Sequence, residues 1–439
     1  MTKLSSQGGT ARRSVLVLSA ATIAVVLAGC ASDSGQGSAD SLTFLAPASL
    51  DAEFAQALAD AYEEANPETT ITVETRPGGA EGENLIKTRL STGEMSDLFI
   101  YNSGALLSTL NPSQTVADIS GEEFVSTLGE DFVNSVTSDD AVFGAPWGSA
   151  RAGGMIYSVA LYDQLGLEIP ETWEQFEKNN AAIAAAGATP VGQTYGDPVT
   201  AQIPVLADYG NIAAADPSWA EAYTANERKY ADEPALHSWE KLAALTQPGI
   251  VNEDFANARY TDVIRQTAEG EIGHYPILSN YATTALQEGY PELGDGLGFF
   301  AIPTSVGDEA VLTLWMPLAV YMPASIDDSK RELASDFLSF IASPEACEIH
   351  AEVAAPAGPY LVEGCDVPES AFPLVSDIQA YYDEGRVSPA LEYVSPLKGA
   401  SLEQIAVEVG SGSRSALEGA ELYDNDVLKQ AQQLGLEGW

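Results

Sequence analysis

The side chains of this 439-residue chain that could do chemistry are mostly aromatic rings and amides beside isolated charges, a set suited to recognition. Trp147 stands between Pro146 and Gly148, outside any periodic apolar pattern, and Arg151 follows four positions on. Tyr101-Asn102 and Asn280-Tyr281 each set a ring beside an amide, Trp315 lies in "LTLWMPLAV", and Asp51 precedes an apolar-periodic stretch. Aromatic faces bury apolar ligand surfaces, while Asn, Asp and Arg bond a ligand's polar groups. Each residue also has a plainer role open to it. Trp147 could pack beneath a turn and Trp315 within a buried strand. Asp51 could cap a helix, and Arg151 could pair with a neighbouring carboxylate. Trp173, first in a capped helix, is expected to pack.

Reactive constellations are scarce. The chain has no G-x-S-x-G and no G-K-[ST] phosphate loop, and "GGAEGEN" at Gly78 is only a glycine-rich turn. A glycoside hydrolase needs two placed carboxylates. Among 64 Asp and Glu residues some pair always looks suitable, so carboxylates alone decide nothing, and a secreted hydrolase stays a distant alternative. His237, His274 and His350 are widely spaced and the three cysteines unclustered, so no metal and no cofactor is expected.

The first 29 residues have to be set aside before the fold is considered. Lys3, Arg12 and Arg13 come with no acidic residue before Cys30, and Val15 to Ala28 is an apolar run of 14 residues. A bilayer span needs about 20, so residues 1–29 are a signal peptide; Arg12-Arg13 leaves twin-arginine export open beside the general route. Leu27-Ala28-Gly29-Cys30 resembles the lipobox of bacterial lipoproteins. That resemblance implies a diacylated Cys30 at the new N-terminus, with residues 30–40 as a Gly/Ser-rich tether at the outer face of a membrane. In an oxidising compartment Cys347 and Cys365 are expected to form a disulfide, two free thiols being the alternative. The formal charge of −45, made three units more negative by loss of the leader cations, disfavours nucleic acid and anionic lipid headgroups as partners.

The elements that must position the candidate residues alternate between strand and helix. "SLTFLA" at Ser41 is strand-like, and Leu50, Phe54, Leu58 and Tyr62 share one helical face up to Asn66-Pro67. "TITVET" is a second strand, Leu85 to Leu90 is helical, and "DLFIY" ends a third strand at Tyr101-Asn102. The alternation predicts parallel α/β sheets, with loops at strand ends reaching a cleft. Later, "GGMIYS", "LGFFAIP" and "LAVYMPA" read as strands. Thr172 and Gln175 fit a capping box for a helix ending at Gly187. Ser329 is expected to cap "RELASDFLSFIA", and Ser343-Pro344 opens the next helix.

One long stretch, "GAPWGSARAGGMIYSVALYDQLGLEIPETWEQFEKNNAAIAAAG" at residues 144–187, resembles the extracellular solute-binding proteins of ATP-binding cassette importers, especially their sugar-binding, maltose-binding-protein-like branch. The matching positions are Pro146, Trp147, Tyr157, Gly166, Leu167, Pro170, Thr172, Trp173 and Phe176, with Ser158 where the family usually has Asn. "STGEMSDLFIYNSG", "GEIGHYPILSN", "LASDFLSFIASPEA" and "SALEGAELYDNDVLKQAQQLG" follow in family order, although Ser96, His274 and Pro276 depart from the pattern.

The resemblance implies a two-lobe α/β clamp with a hinge and an interlobe ligand cleft. It divides the chain into 41–146 plus about 310–343, and about 150–303 plus 347–439. Crossings are expected near Ala145 to Gly153, Pro303 to Val311 and Ser343 to Cys347. Trp147 would then lie at the hinge mouth, and a disulfide from Cys347 would brace the way into the second lobe. The implied protein is a monomeric binder that delivers a mono- or oligosaccharide to transmembrane permease subunits. A peptide, polyol or anionic metabolite is the alternative ligand.

Overall fold

A computed structural model of the chain describes residues 40–436 and 438–439. The signal peptide, Cys30 and the tether up to residue 39 lie outside the described residues. Among them no helix is long and apolar enough to cross a membrane.

Two sheets organise the fold. The first is ordered β2-β1-β3-β12-β6, from β1 (Ser41–Pro47), β2 (Thr70–Arg76), β3 (Leu98–Tyr101), β6 (Gly144–Trp147) and β12 (Leu318–Tyr321). The second is ordered β13-β11-β7-β9-β8, from β7 (Arg151–Ser158), β8 (Thr189–Val191), β9 (Ile272–Leu278), β11 (Leu312–Trp315) and β13 (Val387–Pro389). Its β10 (Leu297–Phe300) pairs with β7. β4 (Thr137–Ser138) and β5 (Ala141–Val142) form a separate hairpin. The expected parallel pairing holds for β1 with β2 and β3, for β8 with β9, and for β11 with β13. It fails at β7 and β12, whose partners all run antiparallel to them. The reason is connectivity: each of these two strands starts directly after the chain has crossed from the other sheet, so it runs away from the crossing while its neighbours run toward it.

Local chemistry explains the elements around the sheets. Leu42, Phe44, Leu45 and Ala46 are buried on both faces of β1. The Leu50–Ala65 helix buries Phe54, Leu58 and Tyr62 at the spacing read from sequence, and its N-cap Ser49 accepts from the Asp51 amide. Thr172 and Gln175 form the full capping box, and Gly187 stops that helix in the left-handed region. Ser343 caps the Pro344–Val353 helix. Ser329 does not cap the Arg331–Ile341 helix; Lys330 holds that position. The Ser329 amide and hydroxyl both donate to Asp327, a local turn that competes with capping.

His274, a departure from the family pattern, is fully buried in β9. Its Nδ1 faces two acceptors, Asn180 Oδ1 (3.0 Å) and the Pro190 carbonyl (3.1 Å), so Nδ1 carries the proton. Nε2 then accepts from the Tyr162 hydroxyl at 2.7 Å. Burial pulls this imidazole down to about 3. A histidine depressed on folding contributes fully above its unfolded value near 6.5 and loses that contribution as pH falls toward 3. Urea unfolding should show it: between pH 7 and 4.5 wild type loses about 3 kcal/mol more stability than His274→Gln, at 1.36 kcal/mol per unit. Equal losses would show that His274 is not the group responsible.

Candidate functional site

Two short passages of chain join the sheets directly: Gly148 to Ala150 connects β6 to β7, and Met316-Pro317 connects β11 to β12. A further stretch, Ala357 to Pro359, lies against the first passage. The Ala150 amide donates to the Pro359 carbonyl (2.8 Å), the Ala357 amide to Ser149 Oγ (3.0 Å), and Ser279 Oγ to the Ala357 carbonyl (2.6 Å).

Two expected crossings shift. β11 belongs to the second sheet, so that crossing comes after Trp315, not at Pro303 to Val311. The Pro344–Val353 helix still packs on the Leu50–Ala65 helix, and Leu361 to Glu363 still bonds to Gly129, Leu128 and Thr127. The chain reaches the second lobe only at the Pro373–Asp383 helix, which packs on β10. Cys347 and Cys365 are disulfide-bonded, tying that earlier helix to the segment leading there.

The second sheet presents a row of candidate residues at its hinge end. Trp315 pairs directly with Arg151, and on the other side of β7 the pairing with β9 ends at Gly153 with Leu278, just before the helix that carries Asn280. The Ala152 amide donates to Ser279 Oγ, fixing the start of the Ser279–Gly289 helix against β7. Arg151 Nε and Asn280 Oδ1 are buried atoms without a partner. Arg151 also reaches the Tyr393 hydroxyl, which donates to the Met316 carbonyl at 3.2 Å. Tyr281 lies within the field of Arg151, and Tyr260 meets its ring edge-on at 5.1 Å. Burial raises the Tyr281 hydroxyl above its usual value; Arg151 opposes this while Tyr260, Asp197 and Glu403 add to it, so the phenol stays neutral. Asp197 is held by Arg259 (3.0 Å) and the Tyr260 amide (2.9 Å).

The facing edge belongs to the first sheet. Trp147 is 5% exposed, 4.4 Å from the Phe54 ring and 5.5 Å from Phe44. Its Nε1 donates to Asp51 Oδ1 at 2.8 Å, and Asp51 Oδ2 accepts from Ser49. Trp147 is therefore packed beneath the hinge, and Asp51 holds it there. Tyr101 is fully buried with its hydroxyl 3.4 Å from Thr109, because all four β3 side chains point into core. Asn102 lends its carbonyl to the Tyr321 hydroxyl. Trp315 packs over Gly153 and Ala207, where a Cβ on Gly153 would overlap its ring. Trp173 lies 4.9 Å from Phe176, the packing role expected of it.

Of the eight candidates, Arg151 and Asn280 have buried polar atoms without a partner, and Tyr281 lies in the field of Arg151. Trp147, Trp315 and Tyr101 are buried in packed surroundings, Asp51 bonds Trp147 and Ser49, and Asn102 lends its carbonyl to Tyr321. Sequence reading passed over Arg76, Tyr260, Asp197 and Tyr393. Arg76, at the end of β2, gives Nη1 to the Pro77 carbonyl and Nη2 to the Ile100 carbonyl, leaving Nε unpartnered in the field of Asp51 and Glu83. The strand-end rule that selected Tyr101 could have found it; nothing local marked Tyr393. Among the described residues, His237 is the one histidine grouped with carboxylates as metal ligands would be. Its two nitrogens already bond Glu233 (2.8 Å) and Glu240 (3.0 Å).

Two α/β lobes joined by two short passages and by the stretch leading to the Pro373–Asp383 helix, with strand ends and helix starts turned toward the hinge, define a hinged binding protein. The family model "Bacterial extracellular solute-binding protein" matches residues 47–346, and the chain belongs to that family. A multiple sugar-binding protein from Streptococcus mutans is 23% identical over 338 residues, covering 75% of this chain and 78% of the relative. The fold is similar to the binding protein MsmE of Bacillus subtilis in an open conformation (TM-score 0.75, 17% identity, 90% of this chain and 98% of that one). It is also similar to apo RafE from Streptococcus pneumoniae (TM-score 0.73, 20% identity, 90% and 99%).

Proposed function

We propose that this protein captures a mono- or oligosaccharide between its lobes and delivers it to transmembrane permease subunits of an ATP-binding cassette importer. The observation that carries the reading is a pair of buried polar atoms without a protein partner at the hinge end of the second sheet: the donor Arg151 Nε at the start of β7 and the acceptor Asn280 Oδ1 in the first turn of the helix after β9. A sugar hydroxyl accepts and donates at once, so it satisfies both where a simple anion satisfies only the arginine. Tyr281, with Tyr260 behind it, supplies an aromatic surface for a pyranose face. The names of the sugar-binding relative and of the raffinose complex of RafE support a carbohydrate. Arg151 also favours a second reading, an anionic solute.

In this reading the protein does no chemistry and needs no cofactor or metal. It is a monomer, lipidated at Cys30 and tethered at the outer face of the cell membrane, so it stays at high effective concentration beside its permease.

Thermal unfolding and tryptophan emission, screened against neutral sugars, sugar acids and peptides, test the reading. A ligand that binds only the folded state raises the melting temperature by mass action. A neutral sugar that does so, and is recovered unhydrolysed, supports it. A response confined to anions moves the assignment to the second reading, and release of reducing sugar from a glycan would return the hydrolase.

A further inference from the structure

The first passage turns at Gly148, whose φ of +73° lies in the left-handed region that a side chain strains. A Cβ there would also sit 2.7 Å from His350 Nε2. His350 comes from the Pro344–Val353 helix, and its ring stands edge-on to Phe54 at 4.9 Å, the same Phe54 that contacts Trp147.

The other side of the imidazole is fastened by hydrogen bonds. Nδ1 is 2.9 Å from the Tyr360 oxygen, and the Tyr360 hydroxyl donates to the Cys347 carbonyl at 3.2 Å. Tyr360 has one proton to give, so Nδ1–H donates to the tyrosine and bare Nε2 faces Gly148. Tyr360 directly follows Pro359, the residue that bonds the first passage at Ala150. The Cys347–Cys365 bridge closes this loop at the helix end and beyond Tyr360.

We infer that His350 is the positioning residue of the hinge: it fills the space beside Gly148 and couples that turn to the Ala357–Pro359 stretch through Tyr360. The contact fixes the backbone at Gly148, and through it the angle at which one lobe meets the other. Removing the ring frees the turn, so the empty protein samples a wider range of lobe separations. Any solute that needs the closed form then binds more weakly, in proportion to the lost closed fraction. None of this depends on which solute binds.

Small-angle scattering of the ligand-free protein tests the inference apart from the ligand assignment. His350→Ala is expected to increase the radius of gyration and broaden the distance distribution. His350→Gln, whose amide can still donate to Tyr360, should restore most of the wild-type profile. Circular dichroism and a thiol count show whether the variants are folded with the disulfide intact. Tyr360→Phe removes one hydroxyl and should shift the profile in the same direction, which keeps the test decisive if His350→Ala does not fold. A folded His350→Ala, or failing that Tyr360→Phe, with a wild-type profile would reduce His350 to a packing residue and overturn the inference.

Discussion

Arg151→Leu is expected to lower affinity for the protein's solute about 10- to 150-fold, the equivalent of losing one hydrogen bond to a charged group. The guanidinium comes from the first residue of β7, which pairs with Trp315, and the next residue, Ala152, donates its amide to Ser279 Oγ. Nε is buried and has no partner within the protein, so in the proposed reading it is the donor that a ligand acceptor would meet. Leucine has similar bulk and removes that donor together with the charge. Arg151→Lys separates the two, because lysine keeps the charge without the planar fork. For a neutral sugar Lys should bind nearly as poorly as Leu; for an anion it should recover much of the affinity. Titration calorimetry with the solute found in the screen distinguishes these outcomes, and unchanged affinity in both variants would remove Arg151 from the site.

Lys241→Met should cost about 3–5 kcal/mol of second-lobe stability, the usual penalty for leaving one partner of a buried ion pair uncompensated. Lys241 Nζ lies 2.7 Å from Asp208 Oδ1, with side-chain exposures of 3% and 2%. The same oxygen accepts from Asn211 Nδ2, and Asn211 in turn bonds the Ile302 carbonyl and the Val311 amide. The pair thus fastens the Leu236–Leu245 helix to the segment that runs to β11. Methionine fills the lysine's path but strands a carboxylate in a low-dielectric interior. Replacing Asp208 by Leu in the same protein removes that stranded charge, so the double variant should be more stable than Lys241→Met alone. Urea unfolding followed through buried Trp219 and Trp239 reports on this lobe. A single variant within about 1 kcal/mol of wild type would show that Asp208 finds another partner or a proton.

Sequence alone determined what depends on neighbours along the chain. Phe54, Leu58 and Tyr62 share a face because a helix repeats every 3.6 residues, and Thr172 with Gln175 closes a capping box because both groups lie within one turn. The ordered motifs from Pro146 to Gly187 carried the family, and with it the two lobes. The Cys347–Cys365 pairing was legible because only two cysteines remain once Cys30 is assigned to lipid attachment.

Tertiary structure decided whatever depends on which side of a strand faces which layer. Tyr101 and Trp315 look like strand-end recognition residues until the sheets are assembled. Tyr101 then points into core, and Trp315 covers Gly153. Trp147 has the same aromatic chemistry, but its indole N–H is already bonded to Asp51. The start of β7 and the start of the Ser279–Gly289 helix, far apart in sequence, meet only because β7 pairs with β9 and the Ala152 amide reaches Ser279 Oγ. That register follows from long-range strand pairing, which no local pattern encodes, and so does the contact of His350 with Gly148.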